Sequence, residues 1–371
     1  MQRMSETTIP RVGFWLPIFG GWLRNVEDEG MPPTWDYCQQ VARRAEELGF
    51  STTLVAELNL NDIKGPAEPV LEAWSTAAAL AVATERLEIM AAVRPGFHHA
   101  AIAAKTAANI DRISHGRFTL NVVSAWWAEE ARQYGIEFVE HDERYARTEE
   151  FLAVLKRMWT EERATVDGKY TRIADAYLAP KPVQTPWPRL YAGGESPAAK
   201  ELISRECDAY LMHGDDLETV SAKIVEMRER AAAIGKTMTY GMAAYVICRD
   251  TEEEAQAELA RITDVKDSAG YAGYKDFTTM SQLERALTLR DYSVSNRGLR
   301  PNLIGTPQQI AARMRAYAEA GLDLFLIQCS PMLEEIERIG TQVLPLLRQP
   351  VMVNGSAHGS KGAYAGREVT A

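Results

Sequence analysis

Eight short apolar runs, each leading into a helical pattern, constrain the fold of this chain more than any other feature. They occupy residues 12–17, 52–56, 87–93, 118–123, 189–193, 209–214, 239–249 and 322–329. The runs are nearly continuously apolar, which is typical of parallel strands covered on both faces. Eight such units close a (β/α)8 barrel, so we predict an α/β chain with the TIM-barrel fold. An open doubly wound sheet is the alternative, although no Gly-x-Gly-x-x-Gly motif follows an early strand.

Helices are predicted between these strands and after the last one. Their expected positions are 34–48, 70–83, 100–114, helices through about 160, 197–206, 217–234, 251–262, a helix from Thr306, and 332–347. We predict one barrel domain over residues 1–350. Residues 351–371 are rich in Gly, Ala and Ser and are expected to form a flexible tail.

Three long segments interrupt the repeat. Residues 18–33 and 57–69 follow strands, so they should lie at the carboxyl-terminal face of the barrel, where chemistry is done. Residues 263–304 follow a helix but are too long for a plain connector, and we interpret them as a mobile lid inserted in the barrel.

Composition excludes several classes of function. With a formal charge of −10, the 371-residue chain has no basic surface for nucleic acid or an anionic membrane. No apolar run approaches the ~20 residues of a membrane span, and no signal peptide is evident, so we expect a cytoplasmic protein. The four cysteines are scattered, without a Cys-x-x-Cys pair or a Cys/His cluster, so we expect buried thiols and no metal site.

The stretch "LYAGGESPAAKEL", residues 190–202, is the first candidate for a binding site. Glycines before a helix let a ligand approach unpaired backbone N–H groups, and such a turn is suited to binding phosphate. The same residues also suit an ordinary strand-to-helix turn, with Ser196 as N-cap and Pro197 in the first helical position. The residues alone leave both interpretations open.

Four segments in order, residues 103–127, 141–160, 190–202 and 302–314, resemble the bacterial luciferase-like family of flavin-dependent monooxygenases. The similarity runs from about Arg11 to Leu347 and is greatest to the FMNH2-dependent alkanesulfonate and dimethyl sulfone monooxygenases. It implies a (β/α)8 barrel, FMN supplied in reduced form by a separate NAD(P)H-dependent flavin reductase, and molecular oxygen as co-substrate. We also expect a homo-oligomer, a dimer or a tetramer.

The resemblance also implies positions for the cofactor. The FMN phosphate is expected at Gly193, Gly194, Glu195 and Ser196, with Tyr145 reaching the same phosphate and Glu195 contributing its backbone rather than its carboxylate. Two polar residues, Asn121 near the end of the fourth strand and Ser124 just past it, are expected to meet the polar edge of the flavin. Trp126 is expected to form a wall of the pocket and exclude water, whereas Trp127 is expected to pack beneath a loop.

The substrate site departs from the alkanesulfonate enzymes. Where they carry an Arg and a His two positions apart in strand seven, this sequence has Ala243 and Tyr245. The absence of this clamp leaves two options, a neutral substrate such as dimethyl sulfone or a sulfonate held by other cations. Arg297 and Arg300 of the lid are the candidate cations, because guanidinium binds oxyanions by two parallel hydrogen bonds. The catalytic candidates are Trp126, Arg297, Arg300 and His213. Arg94, His98 and Tyr245 are the candidates for substrate binding.

These inferences predict a two-component FMNH2- and O2-dependent monooxygenase. Its expected reaction is oxidative cleavage of the C–S bond of an organosulfonate, either an alkanesulfonate or a sulfo-sugar such as sulfoquinovose, with release of sulfite and an aldehyde. Three alternatives stay open: a dimethyl sulfone monooxygenase, a pyrimidine ring-opening flavin oxygenase, and a deazaflavin-dependent dehydrogenase on the same barrel.

Overall fold

The computed structural model describes residues 9–349, apart from residues 125, 281 and 282. The predicted tail at 351–371 lies outside the described residues. Within them, no helix is long and apolar enough to cross a membrane. All four cysteines are buried free thiols, as predicted.

Eight parallel strands form a closed barrel, which confirms the predicted TIM-barrel fold. Around the barrel they follow the order β1, β12, β9, β8, β7, β4, β3, β2 and back to β1. In chain order they are β1 (Arg11–Trp15), β2 (Thr52–Val55), β3 (Glu88–Val93), β4 (Phe118–Val122), β7 (Leu190–Ala192), β8 (Ala209–Met212), β9 (Thr239–Tyr245) and β12 (Leu324–Gln328). Each predicted apolar run overlaps one of these strands, and β1 begins one residue before its run.

Helices pack around the barrel close to the predicted positions. They are α1 (Trp35–Leu48), α2 (Ala73–Ala83), α3 (Ala100–Ile113), α4 (Ala128–Gln133), α5 (His141–Thr160), α6 (Pro197–Glu206), α7 (Leu217–Ala233), α8 (Glu252–Ile262), α9 (Tyr274–Met280), α10 (Pro307–Glu319), α11 (Met332–Arg338) and α12 (Leu344–Arg348). A π-helical turn, Ile339–Val343, joins the last two. Helix α2 starts later than predicted because the carboxylate of Glu72 caps it, accepting the N–H groups of Trp74 and Ser75.

Two small sheets lie outside the barrel and were not predicted. Strands β5 (Arg163–Asp167) and β6 (Arg172–Tyr177) form an antiparallel hairpin after α5, and most of their residues are exposed and polar or charged. The run at 239–249 is interrupted at Val246, and its last part, β10 (Ile247–Cys248), pairs with β11 (Ile304–Gly305). The β5–β6 hairpin lacks the apolar pattern from which buried strands are inferred, whereas β10 and β11 are buried but only two residues long.

The predicted lid region, 263–304, consists largely of short helical turns besides α9 and β11. Three 3₁₀ turns lie at Ala269–Tyr271, Asp291–Ser293 and Ser295–Arg297. Several of its side chains are buried, including those of Tyr292 and Val294. Its mobility stays a prediction.

The interior of the barrel is filled by side chains that include Leu54, Met90, Tyr191, Leu211 and Leu326. At the amino-terminal end of the strands, Arg11 bonds to Glu88 and to the hydroxyl of Tyr191. This packing closes the interior and leaves the carboxyl-terminal face for a binding site.

Candidate active site

A cavity opens at the carboxyl ends of the barrel strands. Its volume of about 230 Å³ is many times the ~10–15 Å³ that one water molecule requires, so it is a ligand cavity rather than a packing defect. Residues at or just past the strand ends line it, among them Trp15, Ala92, Arg94, Asn121, Gly193, His213 and Ala243.

All three long segments contribute to the cavity, and Arg24 joins them. Its side chain, 1% exposed, donates to the carbonyl oxygens of Gly270 (2.9 Å) and Tyr292 (3.0 Å) in the segment 263–304. It also donates to Oδ2 of Asp62 in the second segment, at 2.9 Å. Burial raises the pKa of Asp62, and the charge of Arg24 opposes this. One buried guanidinium therefore holds the walls of the cavity together.

A glycine turn between β7 and α6 forms a cradle at one side of the cavity. A Cβ at Gly193 would lie 2.6 Å from the carbonyl oxygen of Leu211, and one at Gly194 would lie 2.6 Å from Cβ of Ala199. Ser196 is the N-cap of α6 and accepts the N–H of Ala199 at 3.2 Å. Within the described residues, the N–H groups of Gly194, Glu195 and Ser196 donate no backbone hydrogen bond. Unpaired N–H groups at a helix N-terminus suit an anion such as phosphate.

The carboxylate of Glu195 points away from this cradle. It accepts hydrogen bonds from Nζ of Lys223 at 2.6 Å and from Nη2 of Arg297. Burial raises the pKa of Glu195, but His213, Arg297 and Lys223 lower it by more, so its pKa lies well below the usual range. The carboxylate is therefore charged, and its orientation leaves only its backbone to face an anion in the cradle.

Polar side chains surround the cradle and the adjoining cavity. The hydroxyl of Tyr145, on α5, lies 3.0 Å from the Cβ position of Gly194. Burial raises the pKa of Tyr145, while hydrogen bonding to Ser196 and Ser124 opposes the rise, so the phenol stays a donor. Asn121 is buried near the end of β4, and its Oδ1 has no partner among the described residues. Asn121, Ser124 and Tyr145 all line the cavity.

Aromatic residues cover the neighbouring wall. Trp126 lines the cavity and stacks on Trp127, with ring centroids 5.5 Å apart and planes 5° from parallel. Phe277 meets Trp126 edge-on at 5.1 Å. Trp127 is only 3% exposed and packs behind its neighbour. Together the rings give this wall an apolar surface that excludes water.

A buried network of ion pairs that the sequence reasoning missed borders the cavity through Arg94 and Glu57. Arg94 bonds to both carboxylate oxygens of Glu130, and its backbone N–H donates to Oε2 of Glu57 at 2.7 Å. The other oxygen of Glu57 bonds to Nε2 of His98. The side chains of Arg94, Glu57 and Glu130 are all at most 7% exposed. Glu57 and Arg94 follow the adjacent strands β2 and β3, and this adjacency is the signal that could have paired them.

His213 follows β8 and lines the cavity. Burial, aided by the charge of Arg297 and opposed in part by Glu195, lowers its pKa to about 3. The imidazole is therefore neutral at physiological pH, and its Nδ1 has no partner among the described residues.

The pKa of His213 predicts a loss of stability in acid. Because the folded-state pKa is about 3, below the ordinary 6.5, the unfolded chain binds more protons between these values and stability falls as pH decreases through that window. We expect this histidine to contribute up to about 1.4 kcal/mol per pH unit to the slope, measured by urea unfolding between pH 7 and pH 5. His213→Asn should have a shallower slope, and an unchanged slope would show that the imidazole is not buried in its neutral form.

Arg297 lines the cavity with its side chain 1% exposed. Its backbone adopts φ +53°, a conformation that few residues other than glycine occupy. The ion pair with Glu195 holds the guanidinium, while Nε and Nη1 have no partner among the described residues.

Three predicted substrate or catalytic residues do not line the cavity. Arg300 bonds to the carboxylate of Asp291 and to the carbonyl oxygen of Ala286. Tyr245 lies beneath the turn Ser295–Arg297, and its backbone N–H donates to the carbonyl oxygen of Gly298 at 2.7 Å. His98 contacts Glu57 and the ring of Trp74.

The fold and the site together define a TIM-barrel enzyme with an anion cradle beside a largely apolar pocket. The family model described as luciferase-like monooxygenase matches residues 11–324. The chain belongs to this family of monooxygenases.

Similar proteins agree with this assignment. A relative named FMNH2-dependent dimethylsulfone monooxygenase, from Pseudomonas putida, is 37% identical over 91% of this chain and 95% of its own length. A protein of the same name from Pseudomonas fluorescens (strain Pf0-1) is 36% identical over 93% and 96%. The crystal structure of the long-chain alkane monooxygenase LadA superposes with a TM-score of 0.78 at 19% identity, covering 93% of this chain and 92% of that one, and so shares the fold.

Proposed function

We propose that this chain is an FMNH2- and O2-dependent monooxygenase that cleaves the C–S bond of a neutral sulfone of the dimethyl sulfone type. Support comes from the two dimethylsulfone monooxygenases that are 36% and 37% identical over more than nine-tenths of the chain. The sequence reasoning favoured an organosulfonate as substrate and gave a dimethyl sulfone monooxygenase as its first alternative. The sulfone now replaces the organosulfonate.

The charge balance of the cavity is the observation that carries this choice. Among the described residues that line it, Arg24 is bonded to Asp62 and Arg94 to Glu57. Arg297 is likewise bonded to Glu195. A fourth arginine of the lining, Arg144, interacts with Tyr145 beside the cradle, where the FMN phosphate would be its anion. A sulfonate would therefore bring a negative charge to guanidinium groups that a carboxylate or the phosphate already neutralises, whereas a sulfone brings only acceptor oxygens. Ala243, in place of the strand-seven arginine, adds no cation.

Reduced FMN is the cofactor in this proposal, and the residues present fit it. Its phosphate would lie in the cradle of Gly193, Gly194, Glu195 and Ser196, where a Cβ would leave no room, with Tyr145 as a further donor. Asn121 and Ser124 would meet the polar edge of the ring. Bound there, reduced FMN would supply the two electrons that activate O2 for transfer of one oxygen atom to the substrate. A separate NAD(P)H-dependent flavin reductase supplies the reduced FMN.

The protein's own contribution is binding and exclusion of water. Trp126 and Phe277 shield the site. The neutral His213 and the N–H groups of Arg297 that have no partner in the described part of the chain provide donors for a substrate without donors of its own. The reaction balances as dimethyl sulfone, O2 and FMNH2 giving methanesulfinic acid, formaldehyde, FMN and water.

The test compares dimethyl sulfone with methanesulfonate, a charged substrate of similar size, in the presence of a flavin reductase. We expect kcat/KM for the sulfone to exceed that for the sulfonate by at least about 100-fold, the cost of roughly 3 kcal/mol for an unpaired buried charge. Sulfite release from methanesulfonate at a comparable rate would restore the sulfonate assignment. Uracil and reduced deazaflavin serve as probes for the other two alternatives.

A further inference from the structure

We propose that Glu195 is a positioning residue that couples phosphate binding in the cradle to the placement of residues 283–300 over the cavity. We call residues 283–300 the covering segment. The inference rests on the proposed FMN site, since it takes the phosphate of FMN as the ligand of the cradle.

Glu195 connects two parts of the molecule that are distant in sequence. Its backbone belongs to the cradle, and its N–H is unpaired among the described residues. Its side chain, 4% exposed, bonds to the covering segment twice: Oε1 accepts from Arg297, and Oε2 accepts the backbone N–H of Glu284 at 3.1 Å. Both oxygens are thus used to hold the segment.

Buried charges strengthen this connection. Lys223 bonds to Glu195 at 2.6 Å and lies 3.3 Å from the carboxylate of Glu284. Lys200 also pairs with Glu284. Without the charge of Glu195, the cations of Arg297 and Lys223 would face each other in a buried place without their shared anion. A carboxylate at position 195 is therefore needed for the segment to lie where it does.

The covering segment forms a large part of the cavity wall. It contributes Leu287, Tyr292, Val294 and Arg297 to the lining. Arg297 holds its positive φ, a strained conformation that persists only where surrounding contacts enforce it. Its bond to Glu195 is such a contact, so displacement of the cradle would be transmitted to the segment.

Phosphate binding acts on the covering segment through the backbone and the carboxylate of Glu195. A phosphate that accepts the N–H groups of the cradle fixes the backbone of Glu195 and hence the position of its carboxylate. The segment bonded to that carboxylate is then held over the cavity. Coupling is reciprocal, so a segment in place also favours phosphate binding. A flavin without phosphate lacks the group that fixes the cradle.

Hydrogen–deuterium exchange of the covering segment in the full-length protein tests this proposal. The amides of Tyr292, Ser293, Gly298 and Arg300 are bonded within the segment and report on its order. We expect saturating FMNH2, kept reduced under anaerobic conditions, to slow their exchange about 5- to 150-fold, the usual range of coupling between sites. Saturating reduced riboflavin, which has the same ring but no phosphate, should slow it far less.

Glu195→Gln keeps the shape of the side chain but removes its charge, so FMNH2 should still bind while protection of the segment is lost. Glu206→Gln is the matched control, because Glu206 pairs with Lys156 at the other end of α6 and should leave protection unchanged.

Equal protection by FMNH2 and reduced riboflavin would overturn the coupling, as would full FMNH2 protection in Glu195→Gln. The riboflavin comparison needs no variant and so does not depend on how Glu195→Gln folds. Failure of FMNH2 to bind the unaltered protein would instead refute the proposed cofactor site.

Discussion

Replacing Gly194 by alanine is expected to weaken the binding of reduced FMN by about 10- to 100-fold, because overpacking a tight site costs about 1–3 kcal/mol. The new Cβ would lie 2.6 Å from Cβ of Ala199 and 3.0 Å from the hydroxyl of Tyr145. The turn must shift to relieve this overlap, and the shift moves the N–H groups that would bind the phosphate. Gly194→Val should have a larger effect in the same direction.

Anaerobic titration with FMNH2 measures this effect, and thermal unfolding shows whether the variant is folded. Gly96→Ala is the control, because a Cβ there would meet only Nη1 of Arg147, at 3.5 Å. It should bind FMNH2 as the unaltered protein does. If Gly194→Ala is folded and binds FMNH2 with unchanged affinity, the phosphate does not occupy the cradle.

Arg297→Ala is expected to lower kcat/KM for dimethyl sulfone at least about 100-fold and to destabilise the fold by about 3 kcal/mol, the lower end of the cost of breaking a buried ion pair. The lower end applies because Lys223 still neutralises Glu195 in this variant. The loss of activity has a second cause, the removal of a guanidinium that lines the cavity.

Arg300→Ala provides the comparison, since Arg300 lies three residues away but outside the cavity lining. Its two acidic neighbours keep other donors in this variant, since Thr288 bonds to Asp291 and Arg285 pairs with Asp215. Its loss should therefore cost about 1.5 kcal/mol, the scale of one hydrogen bond to a charged group, and leave kcat/KM within a few-fold. For both variants, steady-state kinetics give kcat/KM and urea unfolding gives the free energy of unfolding. Equal losses in Arg297→Ala and Arg300→Ala would contradict the distinction that the structure draws between them.

The barrel could be predicted from the sequence because its strands are buried on both faces. Such strands are apolar throughout, and each is followed by a helix with recognisable ends. Ser196 with Pro197, and Thr306 with Pro307, mark two helix starts that the structure has at those positions. The β5–β6 hairpin carries no such pattern, since its residues are mostly exposed, and it was missed for that reason.

The candidate site was harder to predict because its geometry depends on contacts over long distances in the chain. Arg297 and Arg300 have the same chemistry in the same loop, yet only the folded segment turns the first towards Glu195 and the second towards Asp291. Tyr245 was placed in the site by its position in a strand, but the turn Ser295–Arg297 covers it. The pairing of Arg24 with Asp62 joins two loops, and neither loop indicates it alone.

A single turnover tests the central claim most directly. The protein is loaded anaerobically with one equivalent of FMNH2 and then mixed with O2 and dimethyl sulfone, without reductase or NAD(P)H, and formaldehyde is measured. We expect formaldehyde to approach one molecule for each FMNH2 oxidised, because the cavity excludes water and binds a neutral sulfone. Complete oxidation of FMNH2 with hydrogen peroxide as the product and no formaldehyde would contradict the assignment.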